Sequence, residues 1–239
     1  MCGIAGLINF DNSFVNNIKK SLHHRGPDAQ SYFQNRNLQL IHTRLSIQDI
    51  KNGNQPFKIN NYVIVFNGEI YNHIELRKKL KNYICKTQSD TETLLALFIE
   101  FGSSALEMID GMFAFIIYDI SSNKIILGRD RLGKKPIYLY KKNRQLFIAS
   151  ELNALSDSLP DLSVNDDAIA TFLRAGFFVS SSTPYNFVEE VDPGHLFEIN
   201  LSSLNVKKYK FFNIVDHYLN PLDINHTEAL NQLDAILHK

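Results

Sequence analysis

The chain has 239 residues, 44% of them hydrophobic, with 25 basic side chains set against 25 acidic ones. That length allows one or two domains of ordinary size and a core that needs neither disulfide nor metal. The balanced charge, with no long run of one sign, excludes a nucleic-acid or anionic-membrane partner gathered by bulk charge. The only cysteines are Cys2 and Cys85, too few for a disulfide scaffold, and the histidines lack metal-ligand spacing. The start, MCGIAGLINFDNS, has no positive n-region and only a short apolar stretch. No segment approaches the ~20 apolar residues that span a bilayer. The expectation is a soluble protein of a reducing, cytoplasmic compartment.

In chain order, Cys2 to Phe10 reads as a strand ending at Asp11 and Asn12, and Asn16 to Leu22 as one or two helical turns. His24 to Asp28 must then be a loop. Leu38–Ile47 and Tyr62–Phe66 read as strands, and Ile70–Leu80 as a short helix with Arg77, Lys78 and Lys79 outward. Cys85 falls in an apolar-mixed stretch that reads as a strand burying its thiol. Ser89, with Glu92 three residues on, has the pattern of a capping box opening a helix from Asp90 to about Met108. Met112–Tyr118, Lys124–Arg129, Pro136–Tyr140 and Leu146–Ser150 follow as closely spaced strands, like an antiparallel meander. A helix over Asp166–Arg174, strands over Phe187–Val191, Leu196–Asn200 and Val206–Lys210, and a last helix from Thr227 complete the chain. Pro193-Gly194 reads as a turn between two of those strands. Helices clustered between antiparallel strands indicate an α+β fold rather than a doubly wound parallel sheet.

Position 2 is the most informative. Methionine before a small residue such as cysteine is normally trimmed, which would leave Cys2 with a free α-amine. Such an amine titrates near ~7.7–8.0, so part of it is a neutral base at physiological pH. A thiol paired with its own terminal amine needs no histidine for activation. A lone cysteine is nonetheless more often a small buried residue than a nucleophile. The motifs that accompany it change the balance. Cys2-Gly3-Ile4-Ala5-Gly6 is followed by His24-Arg25-Gly26-Pro27-Asp28, Arg44-Leu45-Ser46-Ile47, Asn67-Gly68-Glu69-Ile70-Tyr71-Asn72 and Ser89-Asp90-Thr91-Glu92. Gly111-Met112-Phe113-Ala114-Phe115, Gly128-Arg129-Asp130-Arg131-Leu132-Gly133 and Ala149-Ser150-Glu151-Leu152 come after.

Together these motifs resemble the glutaminase half of glutamine-dependent asparagine synthetase, a class II glutamine amidotransferase of the Ntn-hydrolase fold. The resemblance runs from Met1 to at least Phe212. It implies a four-layer αββα sandwich of two antiparallel sheets flanked by helices. It also implies that Cys2 attacks the side-chain amide of glutamine, with Asn67 and Gly68 as the oxyanion hole. Arg44 matches the residue that grips the substrate α-carboxylate, a task suited to a planar, permanently charged fork. Asp90 matches the acid that holds the α-ammonium, and Glu69 a further substrate contact. Leu45, Ser46, Ile47 and Gln48 match the segment that lines the glutamine pocket, with Gln48 standing where the family usually has an apolar residue. Arg25 to Asp28 resembles a loop closing over substrate, although Gly-Pro also suits a plain turn. Arg129 and Asp130 read as architecture. His42 is the histidine nearest the site, although a satisfied core histidine is the simpler reading.

The resemblance implies no metal or cofactor for glutamine hydrolysis. ATP and Mg are expected only in a synthetase domain that takes up the ammonia, and its Ser-Gly-Gly-x-Asp-Ser loop is not in this sequence. Residues 1–212 are expected to form the glutaminase domain and 213–239 the link into that missing domain, so the chain reads as a fragment or a natural truncation. Expected partners are L-glutamine and the synthetase domain of the same parent chain, and a homodimer is compatible with the resemblance. A related amidotransferase acting on another carboxylate or a sugar, or a non-catalytic scaffolding remnant, are the alternatives.

Overall fold

Two runs of β-branched and aromatic residues, Tyr62–Ile70 and Gly111–Asp119, are the longest strands and pair antiparallel along their whole length. The computed structural model describes residues 1–238. Its elements in chain order are β1 (Gly3–Ile8), α1 (Ser13–Ser21), β2 (Ala29–Asn35), β3 (Leu38–Arg44), β4 (Phe57–Ile59) and β5 (Tyr62–Ile70). There follow α2 (His73–Arg77), α3 (Asp90–Phe101), α4 (Ala105–Met108), β6 (Gly111–Asp119), β7 (Lys124–Arg129), β8 (Tyr138–Lys142) and β9 (Gln145–Ala149). The chain ends with α5 (Leu152–Ser156), α6 (Asp166–Ala175), β10 (Val188–Glu190), β11 (His195–Asn200), β12 (Val206–Lys210), α7 (Ile214–Leu219) and α8 (His226–Leu237).

The strands form two six-stranded sheets, one ordered β10-β8-β9-β1-β3-β2 and the other β12-β11-β7-β6-β5-β4. Alternation along each strand sends one set of side chains between the sheets and the other outward. Leu38 and Leu40 of β3, Val63 and Val65 of β5, and Ile116 of β6 meet in the inter-sheet core. The opposite face of β5 and β6 packs on Leu94, Leu95 and Leu97 of α3 and Leu106 of α4. The outer face of β1 and β9 packs on Val15 and Ile18 of α1 and Ala154 and Leu155 of α5. Helix, sheet, sheet, helix is the expected four-layer sandwich. Among the described residues no helix is long and apolar enough to cross a membrane.

Several elements differ from the sequence reading. The first helix starts at Ser13 rather than Asn16, and β2, β4, α5 and α7 were not anticipated. The strand from Tyr62 continues through Asn67 and Gly68 to Ile70, because β6 offers backbone partners that far: Asn67 faces Ala114 and Gly68 faces Phe113. The following helix is correspondingly short. The long helix from Asp90 stops at Phe101, where Gly102 takes a φ of 60°, a conformation that glycine adopts without penalty. Cys85 lies in irregular chain rather than a strand and is only half-buried. The expected meander is two hairpins, β6–β7 in one sheet and β8–β9 in the other. Pro193-Gly194 likewise lies where the chain passes from β10 in one sheet to β11 in the other.

Candidate active site

Strand β1 lies between β9 and β3 and is buried along its whole length, so the residue before it is delivered to the mouth of the inter-sheet core. That residue is Cys2. Its sulfur rests on the Leu45 peptide, accepting from Leu45 N at 3.4 Å with Leu45 O at 3.7 Å. Burial pushes the thiol above its ordinary range, opposed by the Leu45 backbone, the terminal amine and the Arg44 and Arg25 charges. A buried thiol held in its neutral form needs a base before it can attack. Cys2 lines a cavity of about 130 Å³ together with Met1, Arg44, Leu45, Ile47, Gln48, Asn67, Gly68, Glu69 and Asp90.

Asn67 and Gly68 enter from the end of β5. Asn67 shares the inward phase of Val63 and Val65 and is 1% exposed. With its carboxamide turned so that both ends are satisfied, Nδ2 donates to Cys2 O at 3.1 Å and Oδ1 accepts from Arg25 Nη2 at 3.2 Å. Gly68 has a steric reason to be glycine. A Cβ there would fall 2.2 Å from Met112 O of the paired strand.

Arg44, at the end of β3, is buried and lines the cavity, but its guanidinium is engaged. Nη1 donates to Ile50 O and Asn54 Oδ1, and Nη2 to Gln48 O and Asp49 O. It therefore folds the 48–54 loop around itself and leaves Nε–H as its remaining donor. Ser46 does not line the cavity; its N–H donates to Asp28 Oδ2 at 2.7 Å. Gln48 reaches across: Nε2 donates to Glu69 Oε1 at 2.7 Å, and Oε1 accepts from Asp90 N at 3.4 Å. Asp90 opens α3, where Ser89 caps the helix by accepting from Thr91 N. Its Oδ2 accepts from Ile70 N at 3.0 Å. Burial raises the Asp90 carboxyl to about 6; the Ile70 N–H works against this and the Glu69 charge adds to it.

The model of the glutamine amidotransferase domain family matches residues 1–210. The chain belongs to that family. Asparagine synthetase (glutamine-hydrolyzing) 1 of Bacillus subtilis is 36% identical over 211 residues, covering 83% of this chain and 33% of the relative. Asparagine synthetase B (glutamine-hydrolyzing) of Escherichia coli is 41% identical over 165 residues, covering 65% of this chain and 30% of the relative. This chain thus spans about a third of the length of those relatives. Among solved structures, the glutamine phosphoribosylpyrophosphate amidotransferase of B. subtilis superposes with a TM-score of 0.65 at 22% identity, covering 88% of this chain and 49% of that one. That likeness shows the fold, the Ntn-hydrolase sandwich.

This glutamine amidotransferase domain also brings Gln55 and Lys135 to the cavity, where the sequence reading did not place them, and sets Arg25 of the expected substrate-closing loop against Cys2. Arg25 is buried, donates from Nε to Cys2 O at 3.0 Å, and pairs through Nη1 with Glu151 Oε1 at 2.6 Å. It thus holds the backbone of Cys2. Its place in the His24–Asp28 motif was the available signal, but its contacts reach across to the distant Glu151 of another motif. Gln55 links the strand to the helix, accepting from Phe66 N and donating to Thr91 Oγ1. Lys135 is 5% exposed and donates from Nζ to Met1 Sδ at 2.9 Å. Burial and the Arg25 charge lower its basicity, opposed by Asp130, Cys2 and Glu69. His42 does not line the cavity. It is a core histidine: burial and the Arg44 charge lower its pKa to about 3, opposed by the Phe66 backbone. A larger open bowl of about 490 Å³ lies at the other ends of the strands, among polar hairpin tips such as Asn9, Asn123 and Asn143.

Proposed function

We propose that this domain hydrolyses glutamine to glutamate and ammonia with Cys2 as nucleophile, and that the ammonia serves an ATP-dependent synthetase portion that amidates aspartate. The observation that carries the first part is the convergence on one cavity of the Cys2 thiol, the Asn67–Gly68 pair and the buried Asp90 carboxyl. The names of the asparagine synthetase relatives support the second.

In this reading Met1 is removed and the α-amine of Cys2 takes the thiol proton. The thiolate attacks the γ-carboxamide carbon, and the second N–H of Asn67 Nδ2 and the Gly68 N–H receive the oxyanion. The α-ammonium protonates departing ammonia. Water, deprotonated by the same amine, then cleaves the thioester to glutamate. Arg44 supplies positive charge and Nε–H to the α-carboxylate, with Leu45, Ile47 and Gln48 framing that side. Glu69 and Asp90 attract the α-ammonium. In the unprocessed chain the amine sits one residue too early, and Met1 itself lines the cavity. The half-reaction uses no metal or cofactor; ATP and Mg belong to the synthetase portion, towards which residues 213–239 lead. A working thiol suits the reducing cytoplasm.

Incubating the Met-processed chain with glutamine, beside Cys2→Ala and Asn67→Ala, tests this. Expected are equal amounts of glutamate and ammonia from the processed chain, none above background from Cys2→Ala, and turnover lowered roughly 10²–10³-fold in Asn67→Ala. A processed chain that releases no glutamate, or an undiminished Cys2→Ala, would sink the proposal.

A further inference from the structure

Gln48 stands in the cavity with a carboxamide of its own. The backbone that carries it is pinned: Arg44 Nη2 donates to Gln48 O at 3.1 Å and to Asp49 O at 2.8 Å, and Asp49 Oδ2 accepts from Gln88 N at 2.7 Å. The side chain spans Glu69 Oε1 at 2.7 Å and Asp90 N at 3.4 Å. Its position between β5 and the start of α3 is therefore built in by the loop. Two carboxylates, Glu69 and Asp90, line the same corner, and among the described residues neither belongs to an ion pair. Their direct polar partners are the neutral Gln48 amide and backbone N–H groups, and the Lys135 ammonium in the same cavity pairs with neither, so the corner can take a further cation. The Glu69 charge already assists the bond from Gln48, but an ammonium adds a full opposite charge to it and is the better partner.

We infer that the Gln48 carboxamide is a placeholder for the substrate α-ammonium: it occupies Glu69 in the empty pocket and is displaced when glutamine binds. This rests on the glutamine reading above. Gln48 is partly exposed, so its side chain can rotate away while Arg44 keeps the loop in place. Every ligand that brings a charged α-amine must break the contact from Gln48 to Glu69. A ligand without that amine leaves the contact intact. Gln48 therefore acts on affinity at the ammonium end of the substrate and leaves the carboxamide end alone.

The test is equilibrium binding by calorimetry in a Cys2→Ala background, with Gln48→Val and, as a second variant, Gln48→Leu. The two ligands are glutamine and 5-amino-5-oxopentanoate, which is glutamine without its α-amine. Losing the competing contact is expected to tighten glutamine roughly threefold to tenfold and to leave the des-amino ligand within about twofold. Unchanged or weaker glutamine binding, or equal shifts for both ligands, would overturn the inference. The latter would mean that the shape of the pocket had changed, not its ammonium corner. Turnover of glutamine by the processed wild-type chain separates the two levels. Its absence refutes the glutaminase reading, whereas turnover without a differential shift refutes only the role of Gln48.

Discussion

Asp90 is held in a form that suits binding better than folding. Burial lifts its carboxyl from the ordinary 3.8 to about 6, and the Glu69 charge adds to the lift against the pull of the Ile70 N–H. Because the folded-state pKa is raised, the stability linked to this group is fully present below about 3.8 and is lost as pH rises through about 6. An incoming ammonium reverses the sign by favouring the carboxylate. Affinity for glutamine should therefore weaken as pH falls through about 6. Asp90→Asn should flatten that dependence and weaken binding, yet stabilise the unliganded fold at neutral pH by on the order of 1–3 kcal/mol. Binding measured between pH 5 and 8, with thermal melts of both proteins, checks this; a wild-type affinity that is flat across pH 6 would refute it. At this scale the sequence was most legible where a residue type has one task. Cys2, Asn67, Gly68, Glu69 and Asp90 all face one cavity. Arg44 was half legible: its place at the cavity followed from its motif, but the carbonyls that occupy its guanidinium come from a loop whose path no pattern fixes.

The same limit applies to whole elements. Ser89 does cap α3, but Glu92 does not reach back to close a capping box. It is fully buried and accepts from Tyr83 OH, Lys86 N, Thr87 N and Thr87 Oγ1, at 2.7–2.9 Å. Sequence spacing shows which residues lie one turn apart, not that the preceding loop offers four donors to one carboxylate. Arg77 holds the same loop from the other side, donating to Thr87 O, Ser89 O and Thr93 Oγ1. These contacts deliver Ser89 and Asp90 to the cavity, so a helix cap and a cavity-lining acid share one anchor. Burial alone would raise the Glu92 pKa, but the Lys86 and Thr87 donors and the Tyr83 hydroxyl outweigh it and hold it below the ordinary 4.5. Its stabilisation is thus present above about 4.5 and lost as pH falls through the lower folded-state value. Glu92→Gln, which turns an NH2 towards N–H and O–H donors, should cost roughly 1–3 kcal/mol at pH 7. That penalty should shrink in acid, where wild-type Glu92 also becomes protonated. Urea unfolding at pH 7 and near pH 4 measures the difference, and an equal penalty at both would contradict the linkage.

At the scale of the molecule, the strands other than β2 and β4 were legible one by one, but their division into sheets was not. Hairpin spacing joins β6 to β7 and β8 to β9 equally well within one meander or across two sheets. The chain crosses between them after β3, after β7 and before β11, and the last two crossings are tied to Arg129 and Asp130. Arg129 donates to Lys135 O, Val191 O and Gly133 O, and pairs with Glu190 at 2.8 Å. Asp130 O accepts from Gly133 N and Gly194 N. The Asp130 carboxylate, 1% exposed, accepts from Phe113 N and Lys135 N on Oδ2 and from Leu132 N and Lys134 N on Oδ1. One buried acid thus joins β6 to both crossings and sets the backbone of Lys135, whose ammonium reaches the cavity. In Asp130→Asn one oxygen becomes an NH2, so two N–H donors lose their acceptor: the part-buried Leu132 and Lys134 N–H if the NH2 takes the Oδ1 side, the buried Phe113 and Lys135 N–H if it takes the Oδ2 side. At about 1–3 kcal/mol for each orphaned donor, the expected loss is roughly 2–6 kcal/mol, a large share of a domain's net stability. Denaturant unfolding followed by far-ultraviolet circular dichroism should show the midpoint falling by that amount. A midpoint within about 0.5 kcal/mol of wild type, the range of ordinary surface substitutions, would mean that the crossings are held elsewhere.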